Sequence, residues 1–356
     1  MNLNELGWDK HFSEHFESLG RSDFLQARVL IETARIYSVF CASGELSAEV
    51  SGKLVHKASG RQDFPVVGDW VAVKPSSGER KATIHDVLPR KSAFIRKEAG
   101  KRTEAQVVAA NIDTVFMVCG LDGDFNPSRI ERYLAVAWES GAKPVVVLNK
   151  TDICTDVDDV VKTVESVAPG IPVLPMSATE NIGVDRLCAH IRFGETVAFL
   201  GSSGVGKSSL VNALLGIERQ HVRDVRGDDN RGRHTTVHGQ LFVLPEGGVL
   251  IDTPGLRELQ LWSDNEGLAR AFDDIEELSS QCRFKNCRHD TEPGCAVRQA
   301  LEDGTLADRR WQSYTKLKQE LNHLESRQDT KSKLTEKKRK KDLSMHIKRV
   351  NKRRRT

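Results

Sequence analysis

The stretch Thr-Val-Ala-Phe-Leu-Gly-Ser-Ser-Gly-Val-Gly-Lys-Ser at residues 196–208 decides the fold class. Residues 196–200 read as a buried strand, residues 201–208 match the spacing G-x-x-x-x-G-K-[ST], and residues 207–215 read as a helix. Strand, glycine-rich loop and helix in this order let backbone N–H groups surround a phosphate at a positive helix N-terminus. The sequence therefore predicts a phosphate-binding loop, made of Gly201, Ser202, Ser203, Gly204, Val205, Gly206, Lys207, Ser208 and Ser209.

A magnesium site belongs with such a loop. We expect Lys207 to reach the β- and γ-phosphates and to serve catalysis, and the Ser208 hydroxyl to bind Mg²⁺. A second magnesium contact is predicted at Asp252, which follows an apolar strand and opens the D-x-x-G element Asp252-Thr253-Pro254-Gly255. The Gly255 amide is expected to sense the γ-phosphate.

The segment between these two elements carries the candidates for a nucleotide-sensitive switch. Residues 224–237 lie there, and of their two adjacent threonines Thr236 is preferred to Thr235 as a third magnesium ligand. Ras-like proteins orient the attacking water with a Gln just after D-x-x-G, but Leu256 stands at that position. We assign the water to His234, whose imidazole can hydrogen-bond it. A solvent-facing loop histidine is the alternative.

Two further elements predict the identity of the base. Strand-like residues 144–148 run into an N-K-x-D element, and strand-like residues 172–175 precede an S-A-x element. A carboxylate in the first element accepts hydrogen bonds from N1–H and the 2-amino group of guanine, whereas adenine offers neither donor and leaves it unpaired. The predicted guanine-binding residues are Asn149, Lys150, Thr151, Asp152, Ser177 and Ala178. Asp152 argues against the alternative that the chain is an ATPase.

The order of these elements indicates a rearranged domain. Ordinary GTPases have the phosphate loop first, but here both base elements precede it. A compact domain tolerates this change when its old termini are joined and a new break opens elsewhere. Strand and helix patterns alternate between residues 111 and 261, which predicts a mostly parallel sheet with helices on both faces.

Upstream of this region, short β-like runs predict a small barrel. The pattern fits an OB-fold, an SH3-like barrel, or a barrel without a ligand. The five runs are Ala27–Thr33, Tyr37–Ala42, Ala48–Leu54, Val67–Lys74 and Ala82–Leu88. Before them, Trp8, Phe12 and Phe16 stand four apart, which predicts a short helix over residues 5–17.

Three of the seven cysteines form the spacing Cys282-x₄-Cys287-x-His289-x₅-Cys295. Three thiolates and one imidazole make a complete tetrahedral Zn²⁺ set, and a closed set is structural. The other four, Cys41, Cys119, Cys154 and Cys188, are expected to be buried apolar residues.

Composition and charge limit the kinds of partner that the chain is expected to have. With 38% hydrophobic and 29% charged residues, and no apolar run long enough for a bilayer, the chain is expected to be cytoplasmic and monomeric, without a membrane partner. Residues 327–356 carry fourteen Lys or Arg and three Asp or Glu. This segment therefore has a net charge of +11, whereas the whole chain has a net charge of +3. An acidic body with such a cationic tail is typical of an arm that binds a polyanion, and a disordered solubilising arm is the alternative.

The combined motifs resemble the circularly permuted GTPases and, with the barrel and the Cys/His run, the ribosome small subunit-dependent GTPase A family. The resemblance covers about residues 30–320 and implies an OB-fold, a permuted GTPase domain and a zinc domain. It also implies binding to the small (30S) ribosomal subunit and its rRNA, late maturation of that subunit, and GTP hydrolysis stimulated by it.

The fold expected is therefore multidomain α/β. Its parts are a helical arm at 1–26, an OB-fold barrel at 27–100, a permuted GTPase domain at 101–262, a zinc-binding helical domain at 263–326 and a basic tail at 327–356. The leading function is a GTP hydrolase with Zn²⁺ and Mg²⁺ as cofactors. A GTP-gated RNA-binding module with incidental hydrolysis is the alternative, and Leu256 is its main support.

Overall fold

The computed structural model of the chain describes residues 1–33, 35–97, 105–123, 125–216, 239–253, 256, 261, 265–324 and 326. The predicted roles of His234, Thr236 and Gly255, the switch segment 224–237 and the tail 327–356 lie outside these residues. Within them, no helix combines the length and the apolar character needed to cross a membrane.

An aromatic stack holds the N-terminal arm against the barrel. Helix α1 (Lys10–Ser18) begins where the Asp9 side chain accepts a hydrogen bond from the Phe12 amide. Trp8 precedes the helix and meets the buried Trp70 edge to face, with ring centroids 4.8 Å apart, and Phe12 lies 5.7 Å from the same ring. The aromatic residues that predicted a helix thus include one that comes before it.

Five strands close a barrel in the order β1-β2-β3-β5-β4-β1. Only the β3–β5 pair is parallel. This Greek-key closure is that of an OB-type barrel, so the OB prediction is confirmed over the SH3-like alternative. The strands are β1 (Leu25–Thr33), β2 (Ile36–Cys41), β3 (Gly44–Val50), β4 (Trp70–Pro75) and β5 (Lys81–Val87).

The predicted third run, Ala48–Leu54, is wrong at its C-terminal end. Strand β3 stops at Val50, and helix α2 (Gly52–Lys57) follows. The Ser51 hydroxyl accepts a hydrogen bond from the Leu54 amide at 3.1 Å and caps this helix. Leu54 contributes to the barrel core from the helix, so its apolar character is satisfied without a strand.

A hairpin, β6 (Ala93–Lys97) and β7 (Ala105–Ala110), connects the barrel to a second sheet. That sheet has the order β10-β9-β8-β11-β13-β12, and its pairs are parallel except that β12 runs antiparallel to β13. The prediction of a mostly parallel sheet is confirmed. Its strands are β8 (Thr114–Gly120), β9 (Lys143–Asn149), β10 (Val173–Pro175), β11 (Thr196–Leu200), β12 (Gln240–Val243) and β13 (Val249–Asp252).

Four helices pack against this sheet: α3 (Pro127–Ser140), α4 (Val157–Val167), α5 (Val184–Ala189) and α6 (Lys207–Leu215). The sequence pattern predicts helices over residues 127–140, 157–167, 184–191 and 207–215. Three of the four have these bounds, whereas α5 ends two residues before the predicted Ile191. Local signals explain the agreement for α3, since Asn126 caps its start, Pro127 opens it, and Gly141 ends it with φ of 86°.

Residues 265–324, which we call the Cys/His module, are mainly helical. Helices Asn265–Ala271, Asp273–Ser280 and Ala296–Glu302 are followed by helical residues 308–324. Apolar residues at helical spacing in the sequence predict one buried face for this last helix, and the structure buries all four of them: Tyr314, Leu317, Leu321 and Leu324. The module therefore packs as an extension of the main core.

A buried arginine joins the arm, the barrel and the sheet. Arg28 of β1 is 1% exposed, and its Nη2 donates to Thr196 Oγ1 at 2.8 Å and to the Asn111 carbonyl at 3.3 Å. Nε donates to the Gly68 carbonyl, and Nη1 donates to the Leu6 carbonyl. Burial lowers the pKa of Arg28 to about 10, so the guanidinium remains charged at neutral pH.

Strand pairing reinforces this junction. Ile31 of β1 pairs with Gln240 of β12, so the barrel strands and the strands of the second sheet are joined in one 11-stranded sheet.

We predict that Arg28→Ala destabilises the junction by about 3 kcal/mol, because buried carbonyls and the Thr196 hydroxyl lose their donor. Amide hydrogen exchange should increase first in β1 and at the start of β11. Arg21→Ala is the control, because Arg21 is exposed and lies over the Phe24 ring at 5.4 Å. Equal melting temperatures for the two variants would contradict this role of Arg28 at the junction.

Candidate functional site

The predicted phosphate and base elements lie at one edge of the second sheet. Because β8, β9, β10, β11 and β13 are parallel, their carboxyl ends meet there. The register pairs Gly120 with Asn149 and Leu200 with Met117. The phosphate loop leaves β11, N-K-x-D leaves β9, the S-A element follows β10, and Asp252 ends β13.

Asn149 ties the base elements to the phosphate loop. Its side chain is 2% exposed; Nδ2 donates to the Val205 carbonyl at 2.8 Å, and Oδ1 accepts from the Ala178 amide at 3.0 Å. The Thr151 amide donates to the Met176 carbonyl, which adds a backbone link between the two base loops. These links join parts of the chain that are far apart in sequence.

The phosphate loop itself requires glycine. Gly204 and Gly206 have φ of 86° and 98°, a region that favours glycine. A Cβ on Gly206 would overlap Asn149 Nδ2, and a Cβ on Gly201 would come within 2.5 Å of the Val118 carbonyl oxygen. Lys207 Nζ donates to the Gly201 carbonyl at 2.6 Å and also to the Ser202 carbonyl. The ammonium group therefore lies against the start of the loop.

The remaining predicted residues line the same edge. Lys150 has φ of 69°, and its Nζ pairs with the Asp122 carboxylate. Asp152, in the turn after Lys150, has an exposed side chain. At the other end of the site, Ser208 is half-buried in the first turn of α6, and Asp252 is half-buried at the end of β13.

Leu256 packs inward. It is 1% exposed and belongs to the main hydrophobic core, and its amide donates to the Thr253 carbonyl. Because this side chain is apolar and buried, it offers no group that could orient a water molecule.

Sequence reasoning missed three side chains at this edge. Arg129 and Tyr133 of α3 both contact Ser202 Oγ, and Asp122 pairs with Lys150. The only signal in the sequence is the four-residue spacing of Arg129 and Tyr133, which puts them on one face of a helix. Nothing local relates that face to residue 202.

The four predicted metal ligands come together. The ligand atoms of Cys282, Cys287, His289 and Cys295 all lie within 4.8 Å of one another. His289 Nδ1 is 3.4 Å from Cys295 Sγ and 3.6 Å from Cys282 Sγ. Three sulfurs and one imidazole nitrogen at this spacing can hold a tetrahedral metal ion.

Electrostatics in the cluster favour a bound cation. Partial burial, together with hydrogen bonds involving the Cys295 and Cys282 thiols, raises the pKa of Cys287 to about 11. Burial lowers the pKa of His289, which keeps its imidazole neutral and able to act as a ligand. A bound metal ion replaces the thiol protons and stabilises the thiolates so formed, which would otherwise repel one another.

Comparison with protein families places the chain among GTPases. A family model described as RsgA GTPase matches residues 87–262, and one described as 50S ribosome-binding GTPase matches residues 196–337. The two matches together include every predicted nucleotide and metal ligand.

Curated relatives match nearly the whole chain. The small ribosomal subunit biogenesis GTPase RsgA 1 of Oceanobacillus iheyensis is 45% identical and aligns over 98% of this chain and 99% of its own length. The small ribosomal subunit biogenesis GTPase RsgA of Opitutus terrae is 47% identical over 90% of each chain.

Solved structures share the architecture. The crystal structure of YjeQ from Thermotoga maritima has a TM-score of 0.64 and 27% identity, covering 84% of this chain and 98% of its own. YloQ, described as a circularly permuted GTPase, has a TM-score of 0.60 and 25% identity, covering 85% and 96%. The permuted order read from the motifs is therefore also that of a solved structure.

We predict that Gly206→Ala weakens guanine nucleotide binding by about a hundredfold. The new methyl group overlaps the Asn149 amide, and φ of 98° strains any other residue, which together cost about 2–4 kcal/mol. Titration with a fluorescent GDP analogue measures the change. The control is Gly216→Ala, because Gly216 also has positive φ but faces open space at the end of α6. Equal affinities for the two variants would contradict this reading.

We also predict one tightly bound metal ion per chain, with an affinity that rises with pH. Below pH 11 the Cys287 thiol holds its proton, so metal binding must release it, and each released proton contributes up to ~10-fold per pH unit. Competition with a chromophoric chelator between pH 6 and 8 measures this slope. Cys282→Ser should release the metal, whereas Cys188→Ser, outside the cluster, should retain it. Equal metal content in both variants would contradict the assignment.

Proposed function

This chain belongs to the RsgA GTPase family and is a GTP hydrolase, and we propose that it binds the small (30S) ribosomal subunit and its rRNA and assists late maturation of that subunit. We propose further that the subunit stimulates its GTP hydrolysis. The observation that carries the proposal is the Asn149 link between the phosphate loop and the base loops, in a chain 45% identical to a small-subunit biogenesis GTPase over 98% of its length.

Guanine is selected by the N-K-x-D and S-A elements. The Asp152 carboxylate accepts from N1–H and the 2-amino group, and the backbone at Ala178 faces O6. Lys150 and Thr151 complete the N-K-x-D turn. Ser177 supports the S-A turn, because its hydroxyl accepts a hydrogen bond from the Glu180 amide. An adenine nucleotide would leave Asp152 unpaired, which disfavours ATP.

The phosphates are bound by loop amides and Lys207. Ser208 and Asp252 supply the oxygen ligands that Mg²⁺ prefers, and we assign Thr236 as a third ligand, with Gly255 donating to the γ-phosphate. Bound Mg²⁺ neutralises charge on the β- and γ-phosphates. The protein's own part is to present Lys207 and the loop amides in fixed positions, which lowers the barrier without reorganisation.

Orientation of the attacking water is assigned to His234. The buried Leu256 supports a group from elsewhere in the chain. His234→Ala should hydrolyse GTP slowly even with the subunit present, and a wild-type rate would remove this role.

The Cys/His cluster is proposed to hold one structural Zn²⁺. A closed set of three thiolates and one imidazole leaves no position for a substrate. The ion would fix the loop between Cys282 and Cys295 against the helices of the module.

Charge and topology support an RNA partner. We propose that the OB barrel and the basic tail at 327–356 contact rRNA, and that the protein acts as a cytoplasmic monomer. Fourteen Lys or Arg in the tail would add a salt-dependent term to binding.

The decisive experiment is single-turnover GTP hydrolysis by the purified chain alone, with small subunits and with large subunits. We expect small subunits to raise the rate at least about tenfold, which corresponds to ~1.4 kcal/mol of barrier, and large subunits to have little effect. The large subunit is the necessary control, since one matching family model is described as 50S ribosome-binding. Lys207→Ala provides the inactive reference.

The alternative function is a GTP-gated RNA-binding module in which hydrolysis is incidental, and the burial of Leu256 favours it. Nucleotide-dependent co-sedimentation with small subunits and no stimulation of hydrolysis would support this alternative. Stimulation by large subunits alone would overturn both.

A further inference from the structure

Helix α3 contacts the phosphate loop through two side chains on one face. Arg129 Nη1 donates to Ser202 Oγ at 2.9 Å, and the Tyr133 hydroxyl lies 3.5 Å from the same oxygen. Arg129 and Tyr133 are four residues apart, so both project from the same side of the helix. A single loop hydroxyl is therefore held by two groups from a distant part of the chain.

Ser202 is a sensitive point of the loop. Its carbonyl accepts a hydrogen bond from Lys207 Nζ, and it follows Gly201, whose carbonyl accepts a second one at 2.6 Å. A shift of Ser202 therefore moves an anchor of the lysine and the first turn of the loop together. Because the loop binds phosphates through backbone amides, its conformation sets its affinity.

The neighbouring face of α3 is fixed to the Cys/His module. Glu131 is fully buried, and its Oε1 accepts from Arg310 Nη1 at 3.2 Å. Arg310 is 6% exposed and also pairs with Asp274 at 2.6 Å. Arg132 also pairs with Glu320 at 2.7 Å, but both side chains are partly exposed to solvent, where an ion pair contributes little to holding a helix in place. The buried Glu131–Arg310 pair resists displacement, because Arg310 also makes further hydrogen bonds, so α3 acts as a rigid support.

We propose that Arg129 is a positioning residue for the nucleotide: it holds Ser202 from a helix that the Cys/His module immobilises, and so presets the phosphate loop. The inference rests on the proposed guanine nucleotide binding and adds a group outside the predicted motifs. Arg129 acts through Ser202, while Tyr133 supports the same contact.

A double-mutant cycle on Arg129 and Ser202 tests this role. Arg129→Ala should weaken GDP and GTP to the same extent, by about tenfold, the size expected for a lost hydrogen bond from a charged donor. It should raise KM for GTP with little change in kcat, because the contact is made equally in the ground and transition states. Ser202→Ala should weaken nucleotide binding to a similar extent. The double variant should bind nucleotide no less tightly than the single variant with the lower affinity.

Two further variants keep the test independent of folding. Arg129→Lys retains a donor and should recover part of the lost affinity. Arg132→Ala is the matched control, because Arg132 lies in the same helix but pairs with Glu320 and not with the phosphate loop. Its nucleotide affinity should stay within about twofold of the wild-type value. Metal content and melting temperature report the fold, and Tyr133→Phe, with a smaller loss, replaces Arg129→Ala if that variant does not fold.

Three results would overturn the proposal. Additive losses in the double variant would mean that Arg129 acts on the nucleotide directly, and a fall in kcat at constant KM would make it catalytic. Unchanged affinity in a folded Arg129→Ala protein would mean that the contact has no role. Failure of the wild-type chain to bind GDP or GTP would instead remove the proposed function itself, so the two failures are distinguishable.

Discussion

The candidate nucleotide site depends on the two hydrogen bonds made by the buried side-chain amide of Asn149. It donates to the phosphate loop at Val205 and accepts from the S-A element at Ala178, and it thereby fixes the distance between a phosphate site and a base site. Both atoms of the amide are used away from water, so either bond lost leaves a polar group unpaired. The parallel sheet brings these loops to one edge, and Asn149 fixes them there.

Strand β11 is held at both ends by other parts of the protein. At its start, the Thr196 hydroxyl accepts from Arg28 of the barrel, and the Thr196 amide donates to Asp113 at 2.8 Å. Beyond its end, Ser202 is bonded to Arg129 of α3, a helix joined to the Cys/His module through Glu131 and Arg310. The barrel and the module therefore both act on the strand that carries the phosphate loop.

The permuted order has a structural consequence. In this order the Asp252 element ends the sheet domain, and the Cys/His module follows it directly in the chain. Strand β12 forms a hairpin with β13, the strand that ends at Asp252, and β12 also pairs with β1 of the barrel. The edge of the sheet that carries Asp252 is thus covalently close to one domain and hydrogen-bonded to the other, an arrangement that suits a GTPase whose surroundings respond to its nucleotide.

The sequence by itself determined the features that depend on local spacing. The phosphate loop, N-K-x-D, the bounds of α3 and the Cys/His cluster are short-range patterns, because backbone conformation, helix caps and metal geometry act over a few residues. Tertiary structure alone decided what long-range packing controls. The end of β3, the Arg28 junction and the Arg129–Ser202 contact depend on side chains that meet only after the sheet has formed, and no local periodicity records which distant surface a helix face will meet.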